Sequence, residues 1–424
     1  MKTPFLSAFP FVMFGFMVAT FASCSKTSSP PEGSAKPVIT SVFPDSGHFG
    51  TVVTIIGKNF NPVPASNIVT IDGVQALVNE ATDTSIRIIV PVTGTGVIAV
   101  KTGDLATGPV FNYTHDILVT GYQTKAGGGY YSSAICWVNG IPVVLTNATS
   151  NASANGVATS GNDVYVVGYE YTGGISIAKV WKNTVPQALN DGTHSASANA
   201  ITIIGNDVYV AGYESDGTKK VATVWKNGVA TRLTYGEAKT IIVSGNDMYV
   251  GGEEVTGIFT SIAKLWKNGT ETALNDSSGY SFVTSMALSG NDLYEVGYGI
   301  RTNSTGYEAK IWKNGLLQPA ILYSSRAYLY GIAVDSNDIY YAGFTTNIYT
   351  NKTNATLWKN SVPVWVITDD AFSQFNTIAI NDNDIYLASQ EYVGGWIAKL
   401  YKNKADSTYT DNTTVSIPKS ILIR

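Results

Sequence analysis

The sequence predicts an all-β protein in which a small β domain is followed by a seven-bladed β-propeller. Near-identical phrases recur along most of the chain, so that GNDVYVVGYEYTGGISIAKVWKNTVP is followed by GNDVYVAGYESDGTKKVATVWKNGVA. Each copy divides into short β-rich runs separated by turn residues, and the chain contains 41 Gly and 25 Tyr. A repeat of roughly 45 residues that is built only of short strands is typical of a propeller.

Composition narrows the function classes. Hydrophobic residues make up 44% of the chain, which is enough for large cores, whereas 14% of residues are charged and the formal net charge is −4. The longest basic cluster is the pair Lys219 and Lys220. A nucleic-acid-binding surface is therefore not expected.

The N-terminus carries the features of an export signal. Lys2 precedes the apolar run PFLSAFPFVMFGFMVATFA, and Phe21-Ala22-Ser23 places small residues just before Cys24. This stretch resembles the lipobox of bacterial lipoproteins. The resemblance implies that residues 1–23 are a signal peptide, that Cys24 receives a lipid, and that residues 24–36 form a flexible tether. An ordinary secretory signal or a short membrane anchor is the alternative.

The same resemblance predicts a location. Ser25 rather than Asp follows Cys24, which in bacterial lipoproteins favours the outer membrane of a Gram-negative cell. Outer-membrane lipid is therefore the expected partner through Cys24. The sequence leaves open whether the protein faces the periplasm or the cell surface.

Residues 37–113 form a separate unit. The stretch PVITSVFPDSGHFGTVVTIIGKNF places a Pro/Gly turn between two β-rich runs, and NIVTIDGVQALV, SIRIIVPV and GVIAVKTG follow as short strands. With the closing Phe111-Asn112-Tyr113, these runs resemble an IPT/TIG domain, an immunoglobulin-like β-sandwich. The resemblance implies a spacer or a module that contacts protein or glycan. We interpret His48, in a turn, as a solvated loop residue.

Residues 114–424 are predicted to form the propeller. An Asp at the first hairpin turn and a Trp in the second half recur in step, with Tyr401 in the seventh Trp position: Asp116, Asp163, Asp207, Asp247, Asp292, Asp338 and Asp384; Trp137, Trp181, Trp225, Trp266, Trp312 and Trp358. In the third unit the four predicted strands, A to D, are ANAITII, DVYVAGYE, VATVWK and VATRLT. Gly205-Asn206 and Asn227-Gly228 join them in tight turns. Because the first unit lacks strand A and the last leaves TTVSIPKSILI over, we expect the C-terminal segment to close the first blade.

The recurring residues are predicted to be structural. A Gly-ended strand B followed by an aromatic residue in strand C makes the blade similar to kelch-type propellers, although Tyr169, Tyr213 and Tyr298 replace the second Gly of the kelch pair. Each Asp lies at a hairpin turn, where its carboxylate can cap backbone N–H groups, and each Trp lies between blades. Cys136 aligns with Val180 and is expected to be a buried apolar filler.

Loop lengths indicate where a ligand binds. The A–B and C–D turns barely vary, whereas the B–C and D–A loops differ in length and emerge at the same end of the ring. That end carries the candidate ligand-binding residues: Trp396, Tyr213, Tyr169, Tyr298, Phe344, Glu170, Glu214, Glu254 and Glu391. Aromatic rings beside carboxylates suit sugar recognition, and packing of the blade rim is the alternative. Three of these glutamates are also expected to pair across strands with lysines: Glu170 with Lys179, Glu254 with Lys264, and Glu391 with Lys399.

The predicted function is that of a non-enzymatic binding or scaffold lipoprotein that recognises a glycan or an envelope protein. The alternative is a carbohydrate-active hydrolase or lyase that uses carboxylates of the D–A loops, where a Ca²⁺ site could also form: Asp191, Asp276, Asp369 and Asp370. The chain contains 3 His, so no multi-His metal site is expected. No catalytic residue and no cofactor is predicted.

Overall fold

The computed structural model describes residues 35–91, 93–125, 131–147, 149–257, 260–274, 280–300, 306–319, 326–347, 349–368, 372–408 and 414–424. These residues lie mainly in β-strands, with one short 3₁₀ turn at Pro64–Ser66. The described part of the chain contains no helix with the length and hydropathy needed to cross a membrane. The predicted signal peptide, Cys24 and most of the tether lie outside the described residues.

The first domain is an immunoglobulin-like β-sandwich, as predicted. Its strands are β1 (Val38–Phe43), β2 (Ser46–Gly47), β3 (Val52–Lys58), β4 (Ile68–Ile71), β5 (Val74–Ala81), β6 (Ser85–Ile89), β7 (Gly96–Lys101) and β8 (Leu105–Tyr113). They hydrogen-bond in the order β1-β3-β6-β5-β4-β7-β8-β2. Alternate side chains of these strands point inward, so that Val53, Ile55, Ile86 and Phe111 are fully buried in one core.

The rest of the described chain forms seven four-stranded blades, which confirms the predicted propeller. Listed from strand A to strand D, blade 1 contains β36 (Thr414–Ile423), β9 (Ile117–Lys125), β10 (Ser132–Val138) and β11 (Ile141–Val144); blade 2, β12 (Ala152–Ser160), β13 (Asp163–Thr172), β14 (Ile175–Lys182) and β15 (Val185–Ala188); blade 3, β16 (Ala196–Ile204), β17 (Asp207–Ser215), β18 (Lys220–Lys226) and β19 (Val229–Tyr235); blade 4, β20 (Glu237–Ser244), β21 (Asp247–Gly257), β22 (Thr260–Lys267) and β23 (Thr270–Ala273). Blade 5 contains β24 (Ser281–Ser289), β25 (Asp292–Ile300), β26 (Tyr307–Lys313) and β27 (Leu316–Leu317); blade 6, β28 (Arg326–Asp335), β29 (Asp338–Thr346), β30 (Thr353–Lys359) and β31 (Val362–Val366); blade 7, β32 (Ser373–Asn381), β33 (Asp384–Tyr392), β34 (Trp396–Lys402) and β35 (Ala405–Thr408).

The blades close into a ring around a central channel. The A strands of neighbouring blades lie side by side, including β36 beside β12, so the A strands line the channel. Strand β36 pairs antiparallel with β9 from Thr414 opposite Lys125 to Ile423 opposite Ile117. The expectation that the C-terminal segment closes the first blade is confirmed.

The recurring Trp residues fill the space between blades. All six are at most 1% exposed, and Trp225, for example, packs against Val167 and Val180 of the preceding blade. Truncating such a Trp to Ala costs about 3–5 kcal/mol. Cys136 is buried against Trp181, and burial raises the pKa of its thiol to about 12. The structural interpretation of the Trp residues and Cys136 is confirmed.

The end of the ring that bears the A–B and C–D turns is nearly the same in blades 2 to 7, and we call it the repeated end. In blade 3, the Asp207 carboxylate accepts hydrogen bonds from Lys226 Nζ and Asn227 Nδ2, both at 2.7 Å. Asn227 Oδ1 accepts a hydrogen bond from the N–H of Val208 at 2.8 Å. Asn227 and Gly228 have φ of 51° and 82°, as a two-residue hairpin turn requires.

The same three side chains recur in the other five of these blades: Asp163, Lys182 and Asn183; Asp247, Lys267 and Asn268; Asp292, Lys313 and Asn314; Asp338, Lys359 and Asn360; Asp384, Lys402 and Asn403. The recurring Asp is therefore structural, as predicted. Its predicted partners were wrong, because the Asn amide caps the backbone N–H while the Asp carboxylate accepts from the Lys and Asn side chains.

Blade 1 replaces the lysine of this arrangement with the last residue of the chain. Asp116 is fully buried and accepts hydrogen bonds from Asn139 Nδ2 at 2.9 Å and Arg424 Nε at 3.0 Å. His48 Nδ1 of the first domain lies 3.3 Å from Asp116 Oδ1, although 41% of the His48 side chain remains exposed. His48 lies in a turn and stays partly solvated, as interpreted, but the same turn also contacts the position where β36 closes the ring.

Candidate functional site

Each A strand carries a β-bulge close to the end of the ring opposite the repeated end. This second end bears the B–C and D–A loops, and we call it the variable end. The pairing of strands A and B skips one residue in every blade: Lys419, Asn155, Asn199, Lys239, Thr284, Tyr330 and Asn376. A bulge leaves its extra residue unpaired and re-aims its side chain. Because the A strands line the channel, these seven side chains, the bulge ring, meet at its mouth.

Several members of the bulge ring donate hydrogen bonds to the next blade. Asn155 Nδ2 donates a hydrogen bond to the backbone oxygen of Ala198 at 2.9 Å, and Asn199 Nδ2 donates to that of Ala238 at 2.8 Å. In blades 5 and 7, Thr284 Oγ1 donates to Leu329 O at 2.8 Å and Asn376 Nδ2 donates to Pro418 O at 2.7 Å. Each acceptor comes directly before the bulge of the following blade. The same side chains therefore join the blades and form the floor of the channel mouth.

A cavity of about 810 Å³ opens above this ring at the variable end. All seven blades contribute to its wall. Beyond the bulge ring, the wall contains four further tyrosines and several hydrogen-bonding side chains: Tyr169, Tyr171, Tyr213, Tyr298, Ser176, Ser197, Gln374, Gln390, Lys220 and Glu237. The volume falls in the range of sites that hold small organic ligands, about 300–1,000 Å³.

Charged side chains concentrate on the blade 3 and blade 4 side of the cavity. Glu237 is 8% exposed and accepts from Lys220 Nζ at 2.7 Å and Lys239 Nζ at 2.6 Å. Burial by itself would raise the pKa of Glu237, but these two ammonium groups outweigh burial and hold it well below its usual range. Lys220 Nζ also lies over the Tyr213 ring, 4.1 Å from its centroid.

Aromatic side chains dominate the side formed by blades 5 to 7. Successive ring centroids lie 4.5–6.0 Å apart from Tyr280 through to Trp396: Tyr280, Phe282, Tyr298, Tyr328, Phe344, Phe372 and Trp396. Tyr298 reaches the cavity wall, together with Tyr330 beside it at 5.9 Å. Burial raises the pKa of Tyr330 to about 12, with the Tyr328 hydroxyl adding to the rise, so the Tyr330 hydroxyl is a neutral donor at physiological pH.

The predicted aromatic residues divide into two groups. Tyr169, Tyr213 and Tyr298 line the cavity. Phe344 and Trp396 belong to the aromatic cluster but not to the cavity wall; Phe344 is 7% exposed, and Trp396 packs edge-on against Phe372. A small ligand in the cavity would therefore contact these three tyrosines rather than Phe344 or Trp396.

The four predicted glutamates lie away from the cavity wall, each paired with a cation of its own blade. The three expected cross-strand pairs are confirmed, between Glu170 and Lys179, between Glu254 and Lys264 at 2.8 Å, and between Glu391 and Lys399 at 2.9 Å. Glu214 pairs with Arg232 at 3.3 Å. The first three pairs join neighbouring strands B and C, and the fourth joins strand B to strand D, so the cavity wall consists mainly of aromatic and amide side chains.

The described wall of the cavity contains few carboxylates that could support hydrolysis. Of the described residues that line the cavity, only Glu237 carries a carboxylate, and it is held by two lysines. Asp191 accepts from the N–H and hydroxyl of Thr193, which fixes its own loop, while Asp276, Asp369 and Asp370 lie outside the described residues. No group of three His, Cys, Asp or Glu side chains in the described ranges could hold a metal ion.

The bulge ring was missed by the sequence reasoning. In β12 and β16 the bulge residue is an Asn between two small residues, in the runs Ala154-Asn155-Gly156 and Ala198-Asn199-Ala200. A single polar residue at this place fits the ordinary alternation of a β-strand and does not indicate a bulge. Burial does not mark the bulge either, because residues on both faces of β12 are buried before and after Asn155. The bulge becomes visible only in the pairing of strand A with strand B, where one residue is skipped.

Comparison with protein-family models supports the assignment of the first domain. Residues 37–113 match the model of the IPT/TIG domain family. No curated protein sequence is significantly similar to this chain.

Solved structures that resemble the chain include an auxiliary nutrient binding protein from Bacteroides thetaiotaomicron, with 14% identity, a TM-score of 0.35 and coverage of 83% of this chain and 94% of that one. A second auxiliary nutrient binding protein, from Bacteroides ovatus, has 15% identity and a TM-score of 0.33, covering 85% and 96%. The β-propeller domain of the Trilobed protease from Pyrococcus furiosus has 8% identity and a TM-score of 0.40, covering 88% and 98%. Similarity at this level says nothing about what the present chain binds.

Proposed function

We propose that the protein is a non-enzymatic binding module whose cavity at the variable end holds a saccharide. The observation that carries this proposal is the combination of tyrosine rings with amide and hydroxyl side chains around a cavity of about 810 Å³. A sugar offers apolar C–H faces and a dense set of hydroxyl groups. Tyrosine rings cover the faces, and Asn, Gln and Ser side chains supply both donors and acceptors for the hydroxyl groups.

The shape of the site favours a saccharide over a protein partner. Specific protein interfaces bury about 800 Å² on each partner over a broad surface, whereas this site is a concave cavity at the mouth of a channel. Tyr298 is also held in place before a ligand arrives, because it packs against Phe282 and Tyr328 with ring centroids 5.1 Å away in each case. Preorganised side chains lose little conformational entropy on binding.

Binding and hydrolysis can be separated in one experiment. Purified protein is screened on a glycan array, and each oligosaccharide that binds is then incubated with the protein while release of reducing ends is measured. We expect retention of one glycan class with no product formed. Absence of any bound glycan would overturn the saccharide proposal, and release of reducing ends would favour a hydrolase.

We also propose that the module is anchored in the outer membrane through a lipid on Cys24. The motif before Cys24 and the polar tether after it support this anchoring. The wild-type protein should partition into the detergent phase of a two-phase separation, and the Cys24→Ala variant should move to the aqueous phase. Unchanged partitioning of the variant would contradict lipid attachment at Cys24.

A further inference from the structure

The cavity is positively charged in a protein whose formal net charge is −4. Its wall contains Lys220, Lys239 and Lys419, against the single carboxylate of Glu237 among the described wall residues. A concave site lined by charges of one sign concentrates the field and attracts ligands of the opposite sign. The excess of two positive charges is therefore directed at whatever enters the channel mouth.

Lys419 is the lysine of the cavity wall whose ammonium group has no carboxylate partner among the described residues. It occupies the bulge of β36, between the bulge residues of blades 7 and 2, Asn376 and Asn155, whose amides donate to backbone oxygens. Its side chain is exposed to the cavity and forms no ion pair with a described carboxylate. Lys220 and Lys239, by contrast, share Glu237.

The surroundings of Lys419 make an anion favourable there. The protein around the Lys419 ammonium removes part of its hydration and lowers its pKa, and Lys239 lowers it further. The Tyr122 ring centroid lies 5.8 Å from Lys419 Nζ, and a ring at that distance provides only weak stabilisation of the charge. A bound anion would supply the counter-charge that the cavity wall lacks.

We propose that the saccharide carries a carboxylate, which contacts Lys419 at the bulge ring and faces Lys239 across the channel mouth. This inference rests on the proposed saccharide function and specifies its ligand class. Uronic acids and nonulosonic acids such as sialic acid both provide a sugar-borne carboxylate. The sugar ring next to the carboxylate would pack against the tyrosines of the wall, for which Tyr213 and Tyr298 lie on two sides of the cavity.

Matched acidic and neutral probes test this inference. Isothermal titration compares trigalacturonic acid with galactotriose, and sialyllactose with lactose, on the full mature chain. We expect the acidic member of one pair to bind about tenfold or more tightly than its neutral partner, as a charge-assisted hydrogen bond provides. The pair that shows the difference identifies the source of the carboxylate. The difference should shrink as salt concentration rises.

Three lysine variants, two at Lys419 and one control at Lys101, assign the effect. Lys419→Met should abolish the preference for the acidic probe over the neutral probe, whereas Lys419→Arg should retain the preference. Lys101→Met removes an exposed lysine from β7 of the first domain and should leave every affinity unchanged. Melting temperatures of the variants verify that each is folded.

The outcomes separate this inference from the proposed function. If acidic and neutral probes bind equally well, or if the acidic preference survives in Lys419→Met, the carboxylate inference is wrong while saccharide binding stands. If neither member of either pair binds and the glycan array is also empty, both proposals are wrong.

Discussion

Strand β17 carries a tyrosine near each end of the ring, and the two tyrosines have different surroundings. Tyr209 lies at the repeated end with Lys226 Nζ 5.0 Å from its ring centroid, and Tyr213 lies at the variable end with Lys220 Nζ 4.1 Å from its centroid. Lys226 is paired with Asp207 in an arrangement that five other blades repeat. Lys220 is paired with Glu237 on the wall of a cavity to which every blade contributes one bulge residue.

This difference shows how one repeated unit serves two purposes. At the repeated end, the same Asp, Lys and Asn hold the hairpins in blades 2 to 7, so we expect a substitution there to change the stability of the fold. At the variable end, the bulge ring has Asn in blades 2, 3 and 7 and Lys, Thr or Tyr in the other blades, and its lysines and Tyr330 face the channel mouth. Binding specificity is therefore expected to depend on the variable end, and stability on the repeated end and the ring closure.

The largest loss of stability should come from opening the ring, because the repeated end and the variable end both depend on its closure. Deleting residues 414–424 removes β36, exposes the inner edge of β9 and leaves Asp116 without Arg424. We expect a loss comparable to the whole stability of a domain, about 5–15 kcal/mol, measured by thermal and chemical denaturation. A truncated chain that melts as cooperatively as the full chain would contradict closure by β36.

Arg424→Met is the graded counterpart of that deletion. It keeps the closing strand but leaves the Asp116 carboxylate buried without its arginine, and losing one partner of a buried ion pair costs about 3–5 kcal/mol. Chemical denaturation of this variant should give a value within that range. A change below about 0.5 kcal/mol, as is typical of surface substitutions, would show that the pair does not secure the closure.

Substituting Glu295 should change the stability of the protein without affecting either end of the ring. Glu295 is fully buried at a position of strand B that Val166 and Val210 occupy in blades 2 and 3. Burial raises the pKa of Glu295 to about 7, and the backbone N–H of Gly315 lowers it by a smaller amount. Because the folded pKa lies above the unfolded value, its contribution to stability is complete below about pH 4.5 and is lost as the pH rises through about 7.

Glu295→Val should therefore stabilise the protein at pH 8, by an amount on the order of 3 kcal/mol, and remove this part of the pH dependence. Denaturation at pH 5 and pH 8 measures both effects. Ligand affinity should be unchanged, which would separate global stability from binding. A variant whose stability varies between pH 5 and pH 8 as much as that of the wild type would contradict the role of Glu295.

A smaller effect is expected from Asn227→Ala at the repeated end. The substitution removes the cap on the Val208 N–H and places Ala at φ 51°, which together cost about 1–2 kcal/mol. Denaturation should register this loss while ligand affinity stays the same. If the variant bound ligand more weakly at full stability, the assignment of binding to the variable end would be wrong.

Much of the fold could be read from the sequence because turns and alternation are local signals. Asn227-Gly228, the recurring Trp and the surplus C-terminal strand each predicted what the structure contains. The site was harder to predict, because a bulge depends on how strand A pairs with strand B and not on the residue alone. Lys419 appears in the sequence as one polar residue between Pro418 and Ser420, and only the skipped pairing directs it into the channel.

The predicted glutamates show a related limit. Residue type and location at a loop end suggested ligand contact, yet each glutamate pairs with a cation of its own blade. The cross-strand pairing of Glu170 with Lys179 was predictable from strand alignment. Pairing of Glu214 with Arg232 of strand D was not, because strand D lies two strands away from strand B in the blade.

The most direct test of the central claim compares the two tyrosines of β17 with a single ligand. The tightest-binding glycan from the array is titrated into Tyr213→Ala and Tyr209→Ala, two variants that lose the same side chain from the same strand. We predict that Tyr213→Ala weakens binding by about 1 kcal/mol or more, as expected of an anchoring aromatic residue, and that Tyr209→Ala binds as tightly as the wild type. Equal affinities for Tyr213→Ala and wild type, or a loss confined to Tyr209→Ala, would place the ligand elsewhere than the variable end.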